Sequence, residues 1–189
     1  GYFDKKKGGK RWNYYRNISE SHSVPLIDGK RQDETGKASV IGFDSNDAEA
    51  RVSIDLTDAY RDRAKQVTRD VALTNLRKAV VVRDRYELTS HHDIVWAMTT
   101  DADIAILPDG AAALSLDGKK LIARVIEPKG VAFVMESAER PGPEKPNKGV
   151  RRLLLRVNDA TGNTNISVML APVWDDGAVE SIESKLLAN

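Results

Sequence analysis

The chain has 189 residues, 41% of them hydrophobic and 30% charged, and its 29 Lys and Arg against 28 Asp and Glu leave a net charge of +1. That length suits one domain, or one large β-sandwich burying roughly 70% of the surface its unfolded chain exposes, and the hydrophobic share excludes a disordered chain. No stretch reaches the ~20 apolar residues of a membrane helix, and the lack of cysteine excludes disulfides, thiol catalysis, Cys-ligated zinc and iron–sulfur clusters.

Charge is unevenly placed from the start. Residues 1–37 hold nine basic and five acidic side chains, a net of +4, whereas the other 152 residues hold 20 basic and 23 acidic ones, a net of −3. Trp12, Tyr14 and Tyr15 interleave with Arg11 and Arg16 in the basic part. Guanidinium and ammonium groups pair with carboxylate or sulfate, and flat rings stack on sugars or bases. The plain alternative is a solvated, flexible loop whose lysines are incidental.

Beyond residue 37 the chain reads as strands. A strand is expected near 38–43, and Val52, Ile54 and Leu56 then alternate with Arg51, Ser53 and Asp55. Such period-2 alternation puts one face into a core and the other toward water. A helical turn is expected near Thr57–Tyr60, strands near 65–75, 93–98, 102–107, 111–116, 120–126 and 131–136, and Val80-Val81-Val82 as a more buried one. Asp109-Gly110 and Asp117-Gly118 separate three successive short strands, a meander by turn chemistry. The Pro- and Gly-rich run from Arg140 to Gly149 reads as an exposed loop rather than a linker, because roughly 40 residues after it are too few for a separate core. Leu153, Leu155 and Val157 alternate with Arg152, Leu154 and Arg156, and Ile166, Val168 and Leu170 follow beyond Thr161-Gly162-Asn163. The tail from Ala178 to Leu187 has helical spacing at Val179, Ile182 and Leu186, and reads equally as a last strand. The expected fold is all-β: one antiparallel β-sandwich over residues 1–189, with roughly ten or more strands and little helix.

Motifs for chemistry are thin. There is no glycine-rich phosphate loop, no Gly-x-Ser-x-Gly elbow and no calcium-loop signature. His91-His92 falls between two expected strands, where an exposed-loop role is the reading, since neighbours on a strand face opposite sides and do not easily share a metal. The third histidine, His22, stands in a more telling context.

The run Arg16 to Gln32, with His22-Ser23 followed by the apolar Val24-Pro25-Leu26-Ile27 and then Asp28-Gly29, resembles the start of the C-terminal β-domain of heparinase II/III-like polysaccharide lyases. Downstream, Ile54-Asp55-Leu56-Thr57-Asp58-Ala59-Tyr60 and Lys78-Ala79-Val80-Val81-Val82-Arg83-Asp84 resemble further segments of that family, in the same order. The resemblance covers roughly residues 11–100.

It implies a parent protein with an N-terminal α/α toroid, a sandwich and a substrate cleft between them, exported by a bacterium to the periplasm or beyond. It also implies β-elimination on uronate-containing, heparin- or heparan-like polysaccharide, with the family's catalytic groups outside this chain. No residue here is therefore expected to be catalytic, and the chain alone is expected to be inactive. His22 matches a position that binds structural zinc in some members, together with ligands from outside the chain. No cofactor is expected in this chain alone. Among the cations and aromatics, Arg16, Lys30, Arg31, Trp12 and Tyr14 are the expected contacts to acidic sugar. A non-catalytic carbohydrate-binding or structural β-sandwich is the competing reading. Nucleic acid is not an expected partner, since the body is acidic and carries no recognition motif, and a membrane is not expected for want of a ~20-residue apolar stretch.

Overall fold

The computed structural model describes residues 3–174. Their strands are β1 (Leu26–Ile27), β2 (Ser39–Ser45), β3 (Ala50–Asp55), β4 (Ala64–Thr74), β5 (Ala79–Leu88) and β6 (His92–Thr100) in the first half. The second half adds β7 (Asp103–Ile106), β8 (Ala112–Leu116), β9 (Lys119–Glu127), β10 (Phe133–Ser137), β11 (Arg151–Ala160) and β12 (Asn163–Pro172). They form two antiparallel sheets, one of four strands ordered β1-β6-β11-β10 and one of eight ordered β2-β3-β4-β5-β12-β9-β8-β7. The all-β sandwich expected from the alternation is therefore the fold. The helical turn at Thr57–Ala59 is a single 3-10 turn. The expected tail element at 178–187 lies outside the described residues.

Local chemistry sets the turns. Asp117 and Gly118 both take positive φ, 47° and 73°, as a tight hairpin between β8 and β9 requires. With the β7–β8 pair, this completes the meander. The Thr161-Gly162 turn does something else: β11 lies in the small sheet and β12 in the large one, so the turn carries the chain across the sandwich.

The core lies between the sheets. Ile166 and Val168 of β12, Leu114 of β8 and Ala123 of β9 face Ile94 and Trp96 of β6, Leu153 and Leu155 of β11 and Phe133 of β10. Trp96 and Phe133 meet with ring centroids 6.2 Å apart and tilted by 52°, within the range of favourable aromatic pairing. Leu154, which alternation directs toward water, is 1% exposed. Its strand runs between β6 and β10, so its neighbours there are Ala97 and Val134 rather than water at an open edge.

The large sheet is wider than the small one, and its far margin is less covered. Every residue of β2 is exposed, and Val40, Ile41 and Phe43 are 66%, 58% and 74% accessible. Val52, Ile54, Val71 and Leu73, the neighbours of β2 on β3 and β4, are only half-buried.

One polar pair sits on the core face. Arg69 of β4 lies opposite Asp84 of β5, two residues beyond the apolar Val82. Two parallel bonds join them, Nε to Oδ1 at 2.6 Å and Nη2 to Oδ2 at 2.7 Å. Asp84 is wholly buried, and the Tyr86 hydroxyl donates to its Oδ2 at 3.4 Å. The third arm of the Arg69 fork, Nη1, donates to the Ser23 carbonyl at 2.8 Å, and the Tyr60 hydroxyl donates to the Pro25 carbonyl at 2.8 Å. Burial on its own would lower the Arg69 pKa, but the Asp84 carboxylate reverses that and keeps the guanidinium charged. Burial, with Asp84 adding to it, pushes the Tyr86 phenol well above its ordinary value.

Asp84→Ala leaves a mostly buried guanidinium without its counter-charge, and is expected to cost about 3–5 kcal/mol in urea unfolding. The double variant Arg69→Met/Asp84→Leu is expected to recover most of that loss. Simple additivity of the two single changes would show that the pair is not coupled.

Candidate functional site

The basic segment before β1 is not an extended loop. Three short 3-10 turns, Lys10–Asn13, Tyr15–Asn17 and Ser19–Ser21, fold it onto the end of the small sheet. Tyr15 and Ile18 bury against Ala138 and Val150, and Ser23 Oγ accepts the Thr99 amide of β6 at 3.1 Å. The 140–149 loop clasps it from the other side. Glu144 accepts the Tyr15 amide at 2.9 Å, and the Arg140 guanidinium sits 3.9 Å from the Tyr15 ring centroid.

Two hollows flank this segment. The larger, about 410 Å³, has Trp12, His22, Arg31, Gln32 and Asp33 in its wall. The smaller, about 150 Å³, is walled by Arg16, His22, Thr99 and Asn147 among others. His22 borders both, and its exposed ring has no hydrogen-bond partner among the described residues. Thr99 Oγ1, in the smaller hollow, is buried and equally unpartnered. Of the expected sugar contacts, Trp12 and Arg31 meet in the larger hollow and Arg16 stands in the smaller. Tyr14 is 39% exposed, Lys30 is exposed on the turn after β1, and neither borders a hollow.

Several cations here already have partners. Arg31 Nε bridges Glu20 Oε1 and Oε2 at 2.8 and 2.9 Å, and its Nη1 donates to the Trp12 carbonyl at 3.1 Å. Lys7 reaches Asp33 at 3.2 Å. Thr35, through its hydroxyl and its amide, and then Lys7 hold the Asp33 carboxyl well below the usual range. Arg16 donates from Nε to the Asn147 side-chain carbonyl at 2.7 Å, so its charge meets an amide rather than a carboxylate. Glu20, Glu144 and Asn147 are the positioning residues that sequence reasoning missed. The two from the 140–149 loop lie about 130 positions from the segment they hold, and no local pattern reports such a contact.

The adjacent histidines part company. His91 is exposed and bonds Asp159 at 2.8 Å. His92, placed by the sequence reading in an exposed loop, instead begins β6, and its side chain is only 10% accessible. Nδ1 of His92 meets Asp28 Oδ2 at 2.7 Å and Nε2 meets the Ser90 hydroxyl at 3.1 Å. Asp28 also accepts the Asp93 amide at 3.0 Å, so one carboxylate ties the end of β1 to the start of β6.

A zinc ion needs about four ligands. His22 offers one imidazole, and among the described residues no group of three or more His, Cys, Asp or Glu side chains is placed to hold a metal. The residues present therefore do not by themselves fit a zinc site.

No family model matches the chain, and no curated protein matches it. Solved structures do. The heparan sulfate lyase HepC from Pedobacter heparinus superposes with a TM-score of 0.66 at 12% identity, covering 80% of this chain and 24% of its own. The heparinase III BT4657 gene product with methylated lysines superposes at 0.67 and 13% identity, covering 84% and 24%. This chain thus has the fold of a portion of these lyases and spans about a quarter of their length.

Two expectations follow from the geometry. Glu20→Gln releases the Arg31 guanidinium into the larger hollow and is expected to change stability by less than about 1 kcal/mol in thermal melting, the range of an exposed pair. It is also expected to strengthen binding of inorganic sulfate at that hollow, since the freed guanidinium is an anion donor. The Asp28 carboxyl is lowered from 3.8, chiefly by its bond to His92. Its stabilisation is therefore present above the unfolded value and lost as pH falls through the lower folded one. Urea unfolding between pH 6 and pH 2 is expected to show a smaller acid dependence in Asp28→Asn.

Proposed function

We propose that this chain is the β-sandwich part of a polysaccharide lyase that cleaves acidic, uronate-containing polysaccharide of the heparin or heparan type by β-elimination. The observation that carries this reading is the superposition of 80–84% of the chain on a heparan sulfate lyase and a heparinase III. The sequence motifs around His22, Tyr60 and Asp84 support it independently.

Elimination makes three demands. The uronate carboxylate must be neutralised, a base must take the adjacent proton, and an acid must protonate the departing glycosidic oxygen. In this reading the groups that neutralise the carboxylate and move the protons lie outside this chain, on an α/α toroid and an early sandwich strand of the same parent, and the sandwich part described here supplies contacts to the anionic sugar. Arg16 and Arg31 hold carboxylate or sulfate groups, Trp12 presents a flat face to a sugar ring, and Tyr14 and Lys30 extend the contact outward. His22 would add one ligand to any structural zinc whose other ligands come from the rest of the parent. Export to the periplasm or cell exterior accords with a polymeric substrate.

A non-catalytic carbohydrate-binding sandwich is the second reading. The unpartnered His22 ring and the open hollows beside Trp12 favour it, since both offer contacts and neither pairs an acid with a base.

The test is an elimination assay on the complete gene product, followed by the ultraviolet absorbance of the unsaturated uronate. The lyase reading expects absorbance to rise with heparan sulfate for the complete protein and to stay flat for residues 1–189 alone. A complete protein that binds the polymer without any rise leaves the binding module. Trp12→Ala/Arg31→Ala in the complete protein is expected to raise KM about tenfold with little change in kcat, as loss of uniform binding does.

A further inference from the structure

The outer face of the large sheet carries a second cluster of cations, remote in sequence from the basic segment. Residues paired across β3, β4, β5 and β12 form rows on that face. One row is Ser53, Asp70, Arg83 and Ser167, and the next is Arg51, Ala72, Val81 and Met169. Arg85 stands two residues beyond Arg83, opposite Thr68. Small side chains in the middle of these rows leave a groove of about 270 Å³ with Arg51, Arg83 and Arg85 around it.

The three guanidiniums are not equally committed. Arg85 is bound to Asp70 at 2.5 Å, and Ser53 also donates to that carboxylate. Asp70 is thereby used up in fixing Arg85 against the sheet. Arg83 is aimed by one neutral bond, from Nε to the buried Ser167 hydroxyl at 2.9 Å, which leaves both of its terminal nitrogens to the groove. Arg51 makes no hydrogen bond or ion pair among the described residues, although Asp44 stands across from it on β2. Asp55, farther along the face, is occupied by the Thr57 amide. Two exposed guanidiniums thus face one groove without a carboxylate partner, one of them oriented by the sheet. Residues two apart on a strand lie about 7 Å apart, and strands two removed about 10 Å, so the charges are spaced along a line rather than focused on one point.

We infer that this groove is a second binding site for an anionic sugar chain, with Arg51 and Arg83 each holding a sulfate or carboxylate. The inference rests on the acidic-polysaccharide part of the proposed function and adds a surface which that reading does not use. Guanidinium forks match such anions in two-point geometry, and the Ser53 and Thr74 hydroxyls, whose protons go to Asp70 and Glu49, keep lone pairs that accept from sugar hydroxyls. Among the described residues no aromatic side chain walls the groove, so they provide no stacking platform of the kind on which single-stranded nucleic acid depends.

The experiment is calorimetric titration of the 189-residue chain with a size-defined heparin hexasaccharide, at two salt concentrations. Arg51→Gln/Arg83→Gln is expected to weaken binding by about tenfold or more, the effect of losing charged hydrogen bonds, and to flatten the salt dependence. Arg83→Lys is expected to fall between the double variant and the wild type. Unchanged melting temperatures exclude misfolding, because these side chains are exposed.

Equal affinity of the double variant and the wild type overturns the inference, as does absence of binding by the wild type. A single-stranded oligonucleotide of matched charge that binds as tightly, with the same arginine dependence, overturns the sugar assignment. Loss of all binding in Trp12→Ala/Arg31→Ala, with the groove variants unaffected, removes the groove and leaves the proposed function intact. The elimination assay reports on that function separately, because its absorbance does not depend on these arginines being ligands.

Discussion

The architecture depends on a charge that the fold has placed where charges do not belong. Asp84 continues the inward-facing positions of β5 after Val80 and Val82, and a carboxylate there has no water to pair with. Arg69, directly opposite, resolves this with a two-bond fork, and its remaining arm fixes the Ser23 carbonyl. One side chain therefore satisfies the large sheet and also anchors the strand-like entry to β1. The His22 turn leads directly into that entry, and the basic segment before it is held from the other side by the 140–149 loop. Tyr60 reinforces the entry from a second element through its bond to Pro25.

The basic segment keeps its charge surplus but not the form of a loose patch. The excess of four positive charges over residues 1–37 already counts Glu20 and Asp33, and the cations sit on a folded turn with a half-buried indole and a histidine between two hollows. Glu20 and Asp33 hold Arg31 and Lys7. Ion pairs of this exposed kind are weak, so an anionic ligand competes for Arg31 on nearly even terms.

The strands were legible because alternation is a local signal. Arg51 to Leu56 and Ile166 to Leu170 state their faces within six residues, and Asp117-Gly118 states its turn within two. The sheet order was not legible. β12 lies between β5 and β9, and only long-range packing selects that place. Arg69 and Asp84 each read as surface groups until their register is known. The 3-10 turns have no period to detect, and Asn147 meets Arg16 only after the chain has crossed both sheets. His92 illustrates the same limit: its neighbours in sequence suggest a loop, and its partner Asp28 lies 64 residues away.

The exposed β2 has consequences for how the molecule behaves among copies of itself. It is the edge of an eight-stranded sheet, with a backbone row that no described strand pairs and apolar side chains on a surface the smaller sheet leaves bare. Two β2 edges meeting antiparallel would form a closed, two-fold pair in which both rows are satisfied. A β2 edge meeting the opposite edge, β7, would instead leave a new edge at each end and propagate. β7 is only four residues long and begins with an aspartate, so the propagating arrangement has the shorter ladder. The geometry of the two margins thus favours a finite assembly over a fibre whenever β2 is left uncovered.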